Sequence, residues 1–367
     1  MLHKFEWRKP DGRIWIQYSR SAFATDFKPH DHGLTRPSSW TPPHLRWNAM
    51  RGEFVSISAS RQDRPFLPPR EYCPLCPPKA TMDGKVLATE IPPSEKPYSW
   101  AVFENMFPGL SQADGHHTGR CEVILYSPQH DSTLANESLA QIEGLIAVWQ
   151  DRCVEIAKDH AIEFIFPFEN KGTEIGVTLH HPHGQIYAFN HVPPFVSAEF
   201  RMAEDHHAKT GQCLICTMTA HELNDQHRIV YASEHIVAFI PFAARYPYEV
   251  HITTREHRPL IQQLTPAERR DLAVALKTVL MKYDKLFGFP MPYIMAHHQA
   301  RARDTHCLNY HWHLEIYPPY RTAQKLKYLA GVESGTGFFI NDTFPEEKAA
   351  ELRLLNVDVG SFEEIAE

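Results

Sequence analysis

Two stretches of the chain space their apolar residues as a helix does. In residues 139–157, Ile142, Leu145, Ile146, Trp149 and Val154 form one apolar stripe. The second stretch opens with Thr265-Pro266-Ala267-Glu268, a capping-box pattern, and continues through Leu272, Val274, Leu276, Val279 and Leu280. Before and after these helices stand short apolar runs with strand character at 122–126, 164–166, 250–253 and 293–295. The strand–helix–strand order, met twice, predicts an α+β fold with an antiparallel sheet in each half. The first 70 residues, rich in Pro, Trp and Arg, read as an irregular lead-in. Two prolines within 192–195 mark the boundary between halves, so the expected domains are 1–195 and 196–367.

The two halves also repeat in their polar residues. The first carries Cys73-Pro-Leu-Cys76, then Cys121-Glu-Val-Ile-Leu-Tyr-Ser-Pro-Gln-His130, then His181-Pro-His183. The second carries Cys213-Leu-Ile-Cys216, then Tyr248-Glu-Val-His-Ile-Thr-Thr-Arg-Glu-His257, then His311-Trp-His313. Three matches in one order indicate a duplicated domain.

A chain of 367 residues is long enough for two cored domains, and its 43% hydrophobic, 11% aromatic and 22% charged composition excludes a disordered or fibrous protein. The longest apolar run, 236–244, is broken by Pro241 and is too short to span a membrane. The N-terminus lacks the apolar core of a secretion signal. A net charge of −7 argues against a nucleic-acid surface. Seven cysteines, an odd number, argue for a reducing, cytoplasmic setting rather than a disulfide framework. The 24 histidines point to metal, proton or phosphoryl chemistry.

The densest polar segment is 168–187. If it ends in a strand, His181, His183 and Gln185 share a face, and Pro182 stiffens their presentation. Upstream, Asn170, Gly172 and Gly176 form a loop able to bring backbone amides to an anion. A neutral imidazole is nucleophilic, and an amide donates to a phosphoryl oxygen without transferring a proton, so the set suits phosphorus chemistry. Cys73, Cys76, His130 and His181 make a Cys2His2 ligand set for zinc, although their spacing is unlike that of a finger.

His181-Pro-His-Gly-Gln185 resembles the active-site motif of the galactose-1-phosphate uridylyltransferases, a branch of the histidine-triad superfamily. The likeness extends over residues 46–353, through Arg46-Trp-Asn-Ala-Met-Arg-Gly-Glu-Phe-Val, Val102-Phe-Glu-Asn-Met-Phe-Pro, Phe168-Glu-Asn-Lys-Gly and Tyr328-Leu-Ala-Gly-Val-Glu333. It implies two tandem histidine-triad-like domains, each an antiparallel sheet with helices packed on it. It also implies a role in galactose metabolism: UDP-glucose and galactose 1-phosphate exchange UMP to give UDP-galactose and glucose 1-phosphate.

By the same resemblance His183 is the nucleophile that becomes uridylylated, and Gln185 holds the phosphoryl oxygens where the hydrolases of the superfamily have a third histidine. Phe103, Asn105, Phe107, Asn170, Gly176 and Thr178 line the nucleotide pocket, with Met106 in place of an aspartate found in some members. Arg61 and Arg64 resemble the arginines that neutralise substrate phosphates in the family. Lys327, Tyr328, Glu333 and Asn341 resemble sugar-phosphate contacts supplied by a partner subunit, which implies a homodimer with shared sites.

In the second half Trp312 and Glu315 stand at the proline and glutamine positions, and a carboxylate repels phosphate, so one catalytic centre is expected. Two metal readings compete there. The repeat groups Cys213, Cys216, His257 and His311. The resemblance groups Glu199, His298, His311 and His313 for iron or zinc, with His297 or His298 as the ligand, and is slightly preferred; a site without metal, held together by hydrogen bonds, is the third reading. The alternatives for the whole chain are an ADP-sugar or dinucleoside polyphosphate phosphorylase using the same histidine, and a zinc-dependent interaction protein without activity.

Overall fold

The computed structural model describes residues 2–28, 34–78, 87–92, 97–112 and 118–362. The chain forms two compact units. The first comprises residues 1–133, 154–167 and 178–193, and the second 134–153, 168–177 and 194–367.

In the first unit the strands are β1 (His3–Arg8), β2 (Ile14–Ser19), β3 (His44–Asn48), β4 (Glu53–Ile57), β5 (Trp100–Glu104), β6 (Gly119–Leu125), β7 (Phe164–Lys171) and β8 (His183–Phe189), the last four residues of β7 belonging to the second unit. The sheet runs β1-β2-β5-β6-β8-β7, while β3 and β4 form a separate hairpin. The first 70 residues are therefore not an irregular lead-in. β1 alternates half-buried and exposed positions, as a one-sided strand does, and β2 is buried along nearly its whole length. The tryptophans that make this segment look unusual are core residues: Trp15 is buried and stacks on Phe103, with centroids 5.4 Å apart.

The second unit holds most of helix α1 (Leu139–Ala157), together with α2 (Pro194–Thr210), α3 (Leu214–Asp225), α4 (Pro266–Phe287), α5 (Gly331–Thr336) and α6 (Pro345–Leu354). Its strands are β9 (Ile229–Ala232), β10 (Ile236–Phe239), β11 (Val250–Thr254), β12 (Tyr293–His298), β13 (His313–Tyr317), β14 (Tyr320–Thr322) and β15 (Lys325–Leu326). From β7 the order is β12-β13-β11-β10-β9, with β14 and β15 paired apart. Helix α4 starts at the capping box read from the sequence: the Thr265 hydroxyl accepts from the Glu268 N–H, and the Glu268 carboxylate accepts from the Thr265 N–H. In α1 the buried stripe passes from Trp149 to Cys153, one helical turn on, and leaves Val154 45% exposed.

The repeat is visible in strand register. In the first unit Phe103 pairs with Val123 and Val123 with Gln185; in the second, Phe239 pairs with His251 and His251 with Glu315. Leu125 opposite His183 is matched by Thr253 opposite His313.

Candidate active site

Strand β8 alternates between half-buried and buried positions, so His183, Gln185 and Tyr187 share one face while Gly184, Ile186 and Ala188 fill the other. His183 Nδ1 lies 2.7 Å from the His181 carbonyl oxygen. A carbonyl can only accept, so Nδ1 carries the proton and Nε2 keeps its lone pair. Burial pushes the His183 pKa down, which keeps the ring neutral and nucleophilic.

His183 and Gln185 line a cavity in the first unit together with Arg64, Phe103, Asn105, Phe107 and Thr178, all singled out by the sequence. Asn105 Nδ2 donates to Gln185 Oε1 at 3.3 Å, and Asn105 Oδ1 accepts from the Phe107 N–H at 2.9 Å. Arg64 bonds only through Nε to the Arg61 carbonyl, at 3.0 Å, so its terminal nitrogens have no acidic partner among the described residues. Such a guanidinium is suited to a phosphate. Arg61 has another place: its Nη1 donates to the Phe107 carbonyl at 3.0 Å and contacts the Tyr187 hydroxyl at 3.1 Å, so it braces the wall.

Leu34, Leu75, Glu90 and Met106 also line the cavity. Leu34 and Glu90 come from loops far from the motif and carry no sequence signal. Tyr187 does carry one, since it lies two residues beyond Gln185 on an alternating strand. Asn170 and Gly176 belong to the second unit and do not line this cavity. Asn170 sits in β7 opposite Ile294. Gly172, at φ +108°, is required because a Cβ there would lie 2.5 Å from Cβ of Pro292, so the loop is packed at that point, whereas Gly176 at φ +82° has open space around it.

Cys73, Cys76, His130 and His181 bring one ligand atom each to within 4.8 Å of one another. Cys76 Sγ faces Nδ1 of both His130 (3.2 Å) and His181 (3.5 Å). His181 Nε2 is engaged by the Ser127 carbonyl at 2.9 Å, which leaves Nδ1 as the ligand nitrogen. The hydrogen bond from Cys73, with the two histidines, lowers the Cys76 thiol to about 4. Two sulfurs and two correctly oriented imidazoles fit a tetrahedral divalent metal.

In the second unit both metal readings meet the geometry, and His311 decides between them. Its Nδ1 lies 3.2 Å from Cys216 Sγ, as does Nδ1 of His257. Its Nε2 is held by the hydroxyls of Thr254 (2.6 Å) and Thr253 (3.3 Å), whose own protons go to the carbonyls of Glu256 and Trp312. The structure therefore turns His311 toward Cys216 and away from Glu199, His298 and His313, while Cys213, Cys216 and His257 bring ligand atoms within 4.8 Å of one another. Glu199, His298 and His313 still converge without it. His298 rather than His297 faces Glu199, at 2.8 Å, while both ring nitrogens of buried His297 lack hydrogen-bond partners among the described residues and its ring packs on Trp149. Glu315 lies 3.3 Å from His313, 3.4 Å from His251 and 3.6 Å from His298, and also pairs with Arg245. Burial alone would lower the His298 pKa; Glu315 and Glu199 outweigh it and lift it to about 9.

Lys327, Glu333 and Asn341 are occupied within the second unit. Lys327 Nζ contacts Glu333 at 3.2 Å, and Asn341 Nδ2 donates to the Ala244 carbonyl at 2.9 Å. Tyr328 is 70% exposed.

Known proteins match this arrangement along most of the chain. The family described as galactose-1-phosphate uridyl transferase matches through its N-terminal domain at residues 114–193 and its C-terminal domain at 199–362. A galactose-1-phosphate uridylyltransferase of Thermotoga maritima is 36% identical, covering 86% of this chain and 99% of its own. A solved uridylyltransferase structure superposes with a TM-score of 0.73 at 34% identity, covering 84% of this chain and 97% of that one. An ADP-glucose phosphorylase of Arabidopsis thaliana, solved with bound ADP-glucose, superposes with a TM-score of 0.66 at 28% identity over 86% of this chain and all of the other. The chain belongs to the galactose-1-phosphate uridyl transferase family.

Proposed function

We propose that this protein transfers UMP between UDP-glucose and galactose 1-phosphate through a uridylylated His183. The observation that carries the reading is the His183–His181 hydrogen bond, which leaves an unprotonated Nε2 on a ring lining a cavity shared with Gln185 and Arg64. Nε2 attacks the α-phosphorus, a P–N bond forms, and the P–O bond to glucose 1-phosphate breaks. The leaving group departs as a phosphate anion, so no general acid is required. Galactose 1-phosphate then attacks the same phosphorus through its phosphate oxygen, which restores neutral His183 and yields UDP-galactose. Asn105 fixes the Gln185 amide with its NH2 turned from Asn105, available to a non-bridging phosphoryl oxygen. Arg64 offsets the phosphate charge.

Cys73, Cys76, His130 and His181 would hold a zinc ion, whose bound form supplies rigidity next to the nucleophile through His181. Cys213, Cys216, His257 and His311 would hold a second metal, zinc by its donor set, with Glu199, His298 and His313 as a further possible cation group. A second copy of the chain, through Lys327, Tyr328 and Glu333, would complete the sugar-phosphate site of a homodimer. No described helix is long and apolar enough to cross a membrane, and seven free cysteines support a cytoplasmic setting.

Intact-protein mass after incubation with UDP-glucose tests the reading. Wild type gains one UMP, His183→Gly gains none, and galactose 1-phosphate discharges the adduct. A second reading keeps His183 but takes an ADP-sugar and inorganic phosphate; the Arabidopsis phosphorylase relative favours it. Adduct formation from ADP-glucose alone would select it.

A further inference from the structure

Arg13, just ahead of β2, has a fully buried side chain whose donors all find acceptors. Its Nε donates to Asp11 Oδ2 at 2.7 Å. Nη1 donates to both carboxylate oxygens of Glu90, at 3.0 and 3.1 Å, and to the Glu104 carbonyl at 3.2 Å. Nη2 donates to the Leu34 carbonyl at 2.7 Å. Lys9 also pairs with Glu90. Three of these acceptors bear on the cavity, because Leu34 and Glu90 line it and Glu104 immediately precedes Asn105. Leu34 and Glu90 lie outside every strand, and their main chain is tied by single backbone bonds rather than a ladder: the Leu34 N–H donates to the Thr89 carbonyl at 3.0 Å and the Glu90 N–H to the Pro74 carbonyl at 2.8 Å. Among the described residues the Arg13 guanidinium is the one side chain that bonds Leu34, Glu90 and Glu104 together, and its planar fork spans positions that a single ammonium cannot reach together.

The apolar part of the lining, including Leu34, Leu75 and Phe103, is where a base fits, whereas His183, Gln185 and Arg64 form the part suited to phosphates. We propose that Arg13 is a positioning residue that sets the width of the base end of the cavity, and so governs nucleotide affinity and the choice between pyrimidine and purine. It touches no reacting atom. The proposal rests on the cavity being a nucleotide site.

The variants are Arg13→Lys, which keeps the buried charge, and Arg13→Gln. For each, KM and kcat with UDP-glucose and with ADP-glucose are measured alongside Tm. For a folded Arg13→Lys, the expected result is a KM for UDP-glucose raised about tenfold, kcat changed little, and a narrower ratio of kcat/KM between the two donors. An unchanged KM and ratio with only a lower Tm would reduce Arg13 to a structural ion pair and overturn the proposal. So would a fall in kcat at constant KM. Calorimetric binding of UDP and ADP separates this question from the transferase reading. If wild type binds UDP but forms no adduct, the transferase reading fails while the Arg13 effect is still read in Kd. If wild type binds neither nucleotide, the positioning role falls with the site.

Discussion

Asn105 donates to Gln185 Oε1 at 3.3 Å while its own Oδ1 accepts from the Phe107 N–H at 2.9 Å, and this pair of bonds settles which way both amides point. The Phe107 N–H can only donate, so it must meet the Asn105 oxygen. The Asn105 NH2 group is then left to meet an acceptor, which turns the Gln185 oxygen toward it and the Gln185 NH2 away. The orientation of the side chain proposed to hold the phosphoryl group is thus dictated by a backbone amide two residues beyond Asn105.

Asn105→Asp breaks this chain at one atom. A carboxylate still accepts from Phe107 but offers no donor to Gln185, so the Gln185 amide turns over and presents its oxygen to an anion. We expect kcat for UMP transfer to fall by roughly a hundredfold, the scale for losing one donor to a developing oxyanion. Asn105→Ser, which keeps a donor, should lose less. Single-turnover uridylylation of His183 reads the effect directly; equal rates for Asn105→Asp and wild type would show that the amide orientation does not matter.

Gln185 cannot relay a proton, whereas an imidazole at the same place can. Gln185→His should therefore raise hydrolysis of the uridylylated enzyme relative to transfer to galactose 1-phosphate. The check is the rate at which pre-formed adduct decays in buffer without acceptor. A decay no faster than that of wild type would mean that water is excluded by the cavity rather than left unactivated by the glutamine.

Much of this site is legible in sequence because it lies on one regular element. His181, His183 and Gln185 alternate along a strand, and a period of two tells which residues share a face. The capping box at Thr265 and the Cys-x-x-Cys pairs are short-range patterns of the same kind. Leu34 and Glu90 illustrate the opposite case: they lie in loops bonded to a distant guanidinium and to distant backbone groups, and no local period encodes such contacts. His311 was ambiguous for another reason. Sequence spacing admits both ligand sets, and only the direction of Nδ1, settled by Thr253 and Thr254 on the other ring nitrogen, separates them. β1 and β2 were obscured because composition rich in Pro, Trp and Arg suggests a loop, while the burial of Trp15 against Phe103 depends on the sheet.

Gly119 offers a test of the sheet beneath the site. It opens β6 at φ +141°, and a Cβ built there would lie 2.1 Å from the Ala188 carbonyl oxygen on the neighbouring strand β8. Neither the backbone angle nor the space accommodates alanine. Gly119→Ala should cost about 3 kcal/mol or more, among the large effects for a single substitution. Thermal or urea unfolding of the two proteins measures it, and a Tm within a degree of wild type would contradict the tight approach of β6 and β8.

The metal assignment makes a prediction about non-additivity. If His311 shares one ion with Cys213, Cys216 and His257, then Cys213→Ser and His311→Ala remove the same ion, and the double variant loses no more than either alone. Cys73→Ser should remove a different equivalent and add to both. His298→Ala should leave the ion held by His311 in place, because His298 faces Glu199 and Glu315 instead. Zinc content after dialysis, measured by atomic emission on the four single variants and the double variant, distinguishes the groupings. Were His311→Ala and His298→Ala to lose one common equivalent while Cys213→Ser lost none, His311 would have to turn from Cys216 toward His313. That turn would leave the hydroxyls of Thr253 and Thr254 without the ring nitrogen they now hold. Differential scanning calorimetry carries the same argument into stability: a metal bound only by the folded state stabilises it, so Cys73→Ser and Cys213→Ser should each lower Tm at saturating zinc, and chelator should shrink the difference from wild type.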